Sequence, residues 1–127
     1  MDYEEYPWPD DFPKHVPPKE AVEANGIAYR IVKTNPPNEL DFVGHNKEPH
    51  VKKSGELKAA DYGTSMFQKL EKIRELKNLY PALRKKHIAC GTLVPKHGKM
   101  SQPDFKSHFE TWLRLRTKIE DSFKVLE

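Results

Sequence analysis

Apolar residues recur at three- and four-residue steps in the middle of the chain, and this stripe predicts an amphipathic helix. Its members are Phe67, Leu70, Ile73, Leu76 and either Leu79 or Tyr80. Pro81 ends the helix, because proline disfavours α geometry in the preceding residue and has no amide hydrogen to donate. Two starts are open. Ser65 and Gln68 have the spacing of a capping box, whereas Thr64 to Phe67 also fits a short strand that precedes a helix beginning near Gln68.

Alternation and β-branched residues predict two strands, one on each side of this helix. Ile27 to Lys33 follows an Asn-Gly turn signal and alternates, so Arg30 lies mid-strand on one face. His87 to Val94 is rich in small and β-branched residues and is short enough for a strand. After a turn around Gly98, Lys99 to Gln102 fits a further, partner strand. Phe105 to Leu115 fits either a helix or a strand.

Two further helices are predicted from capping signals. Asn38 is a suitable cap for a short helix from Glu39 to Val43. Thr117 and Glu120 form a capping box before a last helix, with Ile119, Phe123 and Leu126 on its apolar face. Residues 25–127 are therefore expected to form a single α+β domain, a small and mostly antiparallel sheet with two or three helices packed on it.

Residues 1–24 differ in composition from the rest and predict an extended N-terminal strap. They hold five of the eleven prolines, interleaved with Tyr3, Tyr6, Trp8 and Phe12. They also carry seven acidic residues and two lysines, so a segment of charge −5 precedes a body of +8 in a chain of net charge +3. The favoured interpretation is a strap packed on its own domain or on a sister subunit. The alternative is a peptide that docks in the groove of a protein partner.

The composition favours a cytoplasmic protein. No apolar run approaches the length of a membrane span, and the acidic N-terminus is unlike a secretory signal. The lone Cys90 cannot form an internal disulfide, which fits a reducing compartment.

The familiar motifs of catalysis and metal binding are absent from the sequence. The six histidines lack zinc-site spacing, so we expect no metal, and neither a P-loop nor a nucleophile elbow is present. Gly44 to Leu57 is predicted to be a long polar loop containing His45 and His50; loops of this length are often functional, and disorder is the alternative interpretation. By composition alone no cofactor is expected.

The basic body suggests an anionic partner, including nucleic acid. Residues that could line phosphates are Arg84, Lys85, Lys86, Lys96 and Lys99. No helix-turn-helix, RNP motif or zinc finger accompanies them.

Several short motifs resemble a group of small uncharacterised bacterial proteins. These motifs are Y-R-I-V-K-T-N-P-P from Tyr29, G-T-S-M-F from Gly63, H-I-A-C-G-T-L from His87 and S-H-F-E-T-W from Ser107. That group has a Y-R-x-V-K-T-N-P-P opening, a G-x-S-hydrophobic-aromatic step before its long helix and a late G/S-H-aromatic-x-x-W strand. The resemblance therefore favours the strand from Thr64 to Phe67 over the capping box.

The order of the motifs is also similar to the ADP-ribosyltransferase-like fold, including RES-type toxins. The resemblance implies that Arg30 grips the phosphates of NAD, that Ser65 supports the nicotinamide ribose, and that Glu110 stabilises developing oxocarbenium charge. His108 and Tyr62 would line the pocket. The sequence departs from that family in lacking an S-T-S triplet and a paired acidic signature.

Three functions follow from these patterns. The leading interpretation is a small cytosolic accessory protein that binds a partner through its strap and basic body. The alternative is an ADP-ribosyltransferase-like enzyme, or an inactive relic of one, with NAD as its cofactor. The third is a basic nucleic-acid-binding protein.

Overall fold

A computed structural model of the chain describes residues 5–47 and 57–126, which are built around one antiparallel sheet of seven strands. The strands are β1 (Val22–Glu23), β2 (Gly26–Val32), β3 (Thr64–Phe67), β4 (His87–Leu93), β5 (Gly98–Met100), β6 (His108–Leu113) and β7 (Phe123–Val125). Their order across the sheet is β1-β5-β6-β3-β2-β4-β7, and the sheet curves into a half-barrel. The ambiguous segment near Phe109 is thus a strand, because its alternation places Phe109 and Thr111 in the core.

The prediction of two or three helices packed on a small sheet is wrong. Among the described residues the single α-helix is α1 (Leu70–Leu79), which follows strand β3 as the motif resemblance favoured. The segment after Asn38 forms only a 3₁₀ turn, Glu39–Phe42. This segment remains a single turn, because that conformation buries both Asp41 and Phe42.

The expected C-terminal helix is also replaced, by the 3₁₀ turn Ile119–Ser122 and then by strand β7. Lys118 has a left-handed backbone with φ 53°, so Thr117 does not cap a helix, and its hydroxyl has no hydrogen-bond partner among the described residues. Strand β4 leaves an edge open, and β7 pairs with it through Ala89 to Gly91. The hydrogen bonds between β4 and β7, together with the burial of Phe123, stabilise a strand here more than the capping box stabilises a helix.

Apolar side chains cover both faces of the sheet. One face carries the larger core, which includes Ala28, Val32, Met66, Ala89, Leu93, Phe109 and Phe123. On the other face α1 buries Ile73 against Phe67 and Ile88, as its apolar stripe requires. No helix in residues 5–47 and 57–126 has the length and apolarity needed to cross a membrane.

The described part of the strap lies on the body of the same chain. The amide of Leu115 donates to the carbonyl of Pro7 at 2.8 Å, and the guanidinium of Arg114 lies 4.1 Å from the ring centre of Trp8. Phe12 meets the ring of Tyr62 edge-on at 5.9 Å. Trp8 and Phe12 therefore cover surface of this domain, and docking of the strap on a protein partner or a sister subunit stays a prediction.

His97 is a buried histidine that the fold holds in the neutral form. It is 2% exposed, and its Nδ1 accepts from the amide of Val94 at 3.1 Å, so the ring proton belongs on Nε2, which lies 3.4 Å from the hydroxyl of Ser122. Burial, with a smaller contribution from the charge of Lys96, lowers the pKa of His97 from 6.5 to about 4.

This shift makes the stability of the protein depend on pH between about 6.5 and 4. The unfolded chain binds a proton in that range and the folded chain does not, so the stabilisation is complete above pH 6.5 and is lost as the pH falls toward 4. At most roughly 3.4 kcal/mol of unfolding free energy is involved. Urea unfolding at several pH values should therefore show a steeper loss for wild type than for His97→Gln. Parallel curves for the two proteins would contradict this account.

Candidate functional site

The sheet is weakly joined between β2 and β3, and Arg30 bridges this junction. These strands share one registered pair, Tyr29 with Phe67, whereas β3 and β6 share four. Beyond that pair, Nη1 of Arg30 donates to the carbonyl of Ser65 and Nε donates to the carbonyl of Asp41, each at 2.7 Å. One planar guanidinium thus holds together the backbones of a strand and a turn.

Asp41 fixes the turn that presents its carbonyl to Arg30. Its carboxylate accepts from the amides of Lys33 and Asn38 at 2.8 and 3.0 Å, and from the hydroxyl of Thr34. Burial by itself raises the pKa of this carboxyl, but those hydrogen bonds and the nearby Arg30 charge outweigh burial and lower it below the usual value. Asp41 is therefore an anion at neutral pH and a structural partner of Arg30.

Ser65, His108 and Glu110 form a polar cluster across the β3–β6 ladder. Ser65 pairs directly with Glu110, and side chains two residues apart on a strand share a face, so His108 lies beside them. The hydroxyl of Ser65 is 2.9 Å from Nε2 of His108 and 3.3 Å from Oε2 of Glu110. The Glu110 side chain is only 14% exposed. Asp104 lies behind His108, with Oδ2 3.8 Å from Nδ1.

His45 completes the cluster and was missed at the sequence level. Its Nε2 lies 3.1 Å from the Ser65 hydroxyl and 3.1 Å from Oε1 of Glu110. The 3₁₀ turn His45–Lys47 brings it there, anchored by a hydrogen bond from the His45 amide to the carbonyl of Gly63 at 3.0 Å. Its polar loop has no periodicity, so the sequence offered no signal that would place it beside residue 110.

A cleft of about 500 Å³ opens beside this cluster, between α1, the end of β2 and the start of β3. Arg30, His45 and Ser65 line it, and Glu110 stands directly behind the latter two. Three lysines also line it, namely Lys33, Lys47 and Lys86, against the single carboxylate of Asp41. The apolar part of the wall comes from Ile31, Phe67, Ile73 and Leu76. The cleft thus combines an apolar wall, positive charge and a buried carboxylate.

Four of the five residues that the motif resemblance selected meet at this site, and one does not. Arg30, Ser65, His108 and Glu110 are brought together. Tyr62 instead packs on Phe12 and lines a second cavity of about 470 Å³ beneath the strap. The resemblance implied that Tyr62 lines the same pocket as the other four residues, and the structure does not place it there.

The predicted basic row does not form one surface. Lys86 lines the cleft, but Arg84 is engaged with the carbonyl of Asn78 at 3.2 Å, and Lys85 is exposed. Lys96 and Lys99 follow the far end of β4, a seven-residue strand. Such a strand spans about 20 Å, so the two groups of charges lie apart.

The His45–Ser65–His108–Glu110 cluster is organised by hydrogen bonds. Within the described ranges no three His, Cys, Asp or Glu side chains are arranged to hold a metal ion. The part of the polar loop that contains His50 lies outside the described residues.

Compared with known proteins, the chain matches no family model, no curated sequence and no solved structure. Both motif resemblances therefore stay predictions, and the geometry of the site carries the functional argument.

Proposed function

We propose that the chain binds NAD in this cleft and cleaves the bond between nicotinamide and ribose. The observation that supports this most is that Arg30 and Ser65 line one cleft, while Glu110 on the third adjacent strand contacts Ser65 and His45 in its wall. The order of these strands, β6-β3-β2, puts the serine between the carboxylate and the guanidinium. A volume of about 500 Å³ is typical of small-molecule sites, which run from about 300 to 1,000 Å³.

Each part of the cleft matches one part of the ligand. The positive lining suits the two phosphates of NAD, and the apolar wall suits a flat ring. Arg30 already holds two backbone carbonyls. Lys33 and Lys86 are therefore better placed to contact phosphate, while Arg30 keeps the wall in shape and adds charge.

Glu110 is the group placed to promote cleavage. When the glycosidic bond breaks, the ribose carbon and ring oxygen become positively charged, and a fixed carboxylate beside them lowers the energy of that state. Ser65 and His45 both contact this carboxylate. They orient it and shield it from bulk water, and a preorganised charge is worth more in such surroundings.

The other two interpretations have less support from the contacts. Trp8 and Phe12, two of the aromatic residues on which the partner-binding interpretation rested, pack against Arg114 and Tyr62 of the same chain. The basic residues that suggested nucleic acid lie at the two ends of β4 rather than along one surface. A compact cleft next to a buried carboxylate fits a small ligand better than an extended polyanion.

The test is direct incubation of the purified protein with NAD. We expect saturable binding by calorimetry, and release of nicotinamide and ADP-ribose resolved by chromatography. NAD that neither binds nor is consumed at millimolar concentration would overturn the proposal. Nicotinamide mononucleotide and adenosine diphosphate, tested separately, show which end of NAD the cleft recognises.

Gly63 offers a way to displace Glu110 while leaving the Glu110 residue itself unchanged. Its backbone, with φ −86°, suits alanine, but an added Cβ would lie 2.8 Å from Oε1 of Glu110. Because small displacements of a catalytic group cost about 10²-fold, Gly63→Ala is expected to lower turnover by one to two orders of magnitude. Steady-state kinetics measure this change.

The control for Gly63→Ala is a double-mutant cycle. In a Glu110→Gln background there is no catalytic carboxylate to displace, so Gly63→Ala should have little further effect on turnover. Equal losses in both backgrounds would mean that the substitution acts elsewhere.

A further inference from the structure

A third cavity, of about 390 Å³, lies between α1 and the start of β4. Its polar lining consists of Asn78 and four basic side chains, and none of the described residues that line it is acidic. The cleft and the cavity beneath the strap, in contrast, both have acidic residues in their linings. We call the third cavity the basic pocket, and its basic residues are Arg74, Lys77, Lys86 and His87.

Two segments of the chain supply the charges of the basic pocket. Arg74 and Lys77 are three positions apart on α1, so their side chains lie on one face of the helix. Lys86 directly precedes β4, and His87 is the first residue of that strand. The 3₁₀ turn Pro81–Leu83 between them brings the start of β4 back beside the helix. The fold therefore gathers basic side chains that a single helix face could not supply.

The segment after α1 fixes one of these cations and covers the end of the helix. Nζ of Lys77 donates to the carbonyl of Arg84 at 2.8 Å, and Nη2 of Arg84 donates to the carbonyl of Asn78 at 3.2 Å. An ammonium group has three N–H donors, so Lys77 can still donate to a ligand. The guanidinium of Arg84 also offsets the negative end of the helix dipole, which would otherwise disfavour an anion at this position.

The rest of the pocket wall is apolar. It is formed by Leu70, Ile88 and Leu126, and the amide of Leu126 donates to the carbonyl of Ile88 at 2.8 Å. The volume of about 390 Å³ falls within the range of small-molecule sites, about 300 to 1,000 Å³. Lysine and arginine bind phosphate oxygens through charge-assisted hydrogen bonds. The basic side chains thus suit a phosphate group, and the apolar wall suits the organic part that carries it.

We propose that the basic pocket binds the phosphate monoester group of a small organic molecule. The proposal does not depend on the NAD function, because Arg74, Lys77 and His87 are not part of the cleft lining. Lys86 lines both spaces, so two sources of the phosphate are compatible with the pocket. One is a separate phosphorylated molecule. The other is a dinucleotide that occupies the cleft, such as NADP, which has a phosphate monoester that NAD lacks.

The first experiment titrates the protein with inorganic phosphate at constant ionic strength and follows binding by calorimetry. The test variant is Arg74→Gln/Lys77→Gln, which removes two charges from the pocket and leaves the cleft lining unchanged. Its affinity for phosphate should fall by about tenfold, since each such partly solvated contact contributes about threefold. The matched control, Lys69→Gln/Lys124→Gln, removes two exposed charges outside the pocket and should change the affinity by less than about twofold.

The second experiment compares NADP with NAD and identifies the source of the phosphate. If a dinucleotide in the cleft supplies it, wild type should bind NADP about tenfold more tightly than NAD, and Arg74→Gln/Lys77→Gln should lose this preference. If a separate molecule supplies it, the protein should not distinguish NADP from NAD, while inorganic phosphate still distinguishes the variant from wild type. Either result supports the pocket.

The outcomes separate the basic pocket from the cleft. Wild-type protein that neither binds inorganic phosphate nor prefers NADP to NAD would overturn the basic pocket. Phosphate binding or an NADP preference that survives in Arg74→Gln/Lys77→Gln would also overturn it, and both results leave the NAD proposal untouched. Phosphate binding that is lost in this variant, in a protein that neither binds nor cleaves NAD, would overturn the proposed function alone. Circular dichroism of each variant checks that the fold is unchanged.

Discussion

Glu110→Gln is expected to reduce nicotinamide release from NAD by about 10²–10³-fold. The amide has nearly the same volume as the carboxylate and can still accept a hydrogen bond from Ser65, which lies 3.3 Å away. It cannot carry the negative charge that opposes the developing positive charge on the ribose. The loss should therefore appear in kcat, with little change in the dissociation constant for NAD.

The matched control is Glu71→Gln, which removes an exposed carboxylate on α1. That variant should keep wild-type kinetics, because its charge is screened by solvent and lies outside the cleft lining. Wild-type turnover in Glu110→Gln would show that the buried carboxylate is structural. Circular dichroism of both variants checks that the fold is unchanged.

Gly98→Ala is expected to have the largest effect on stability. Gly98 has φ +144°, and a Cβ there would lie 1.9 Å from the backbone oxygen of Trp112. That oxygen belongs to the neighbouring strand β6 and cannot move without breaking its pairing with β5. We expect a loss of more than about 4 kcal/mol, enough to unfold many domains of this size. Urea unfolding, or the soluble yield, measures it.

Gly26 supplies a control for the backbone contribution alone. It also has a positive φ, +97°, but an added Cβ would meet no atom within 4 Å. Gly26→Ala should therefore cost only the conformational strain, about 1–2 kcal/mol. The difference in the free energy of unfolding between the two alanine variants measures the steric cost of the close approach of β5 to β6. Similar losses for both would contradict this account.

The parts of the fold that the sequence predicted are those with strong local patterns. Strands β2 and β4 and helix α1 lie where alternation, the apolar stripe and Pro81 indicated, whereas β3 was one of two alternatives and was favoured by the motif resemblance. The C-terminal segment could not be predicted in this way. Its capping box fits a helix locally, but the open edge of β4 can be paired only by a strand. That requirement comes from distant residues, which a local pattern does not reveal.

The same distinction applies to the site. Arg30, Ser65 and Glu110 are each on a strand, so correct strands and a motif order were enough to suggest that they meet. His45 reaches Glu110 across 65 positions of sequence through an irregular turn. Nothing in its neighbours indicates that contact. Tyr62 was misplaced for the related reason that the ring contact with Phe12 of the strap directs it to another cavity.

The side-chain bridge at Arg30 has a consequence for how the role of each residue in the cleft can be tested. The Arg30 guanidinium replaces hydrogen bonds that a full ladder between β2 and β3 would form. The fold and the proposed reactivity therefore both depend on this one side chain. Replacing Arg30 with a neutral residue will both loosen the wall of the cleft and remove a positive charge, so a kinetic effect could not be assigned to either change alone. Ser65→Ala is the cleaner probe, because the carbonyl that Arg30 grips belongs to the backbone and survives the change.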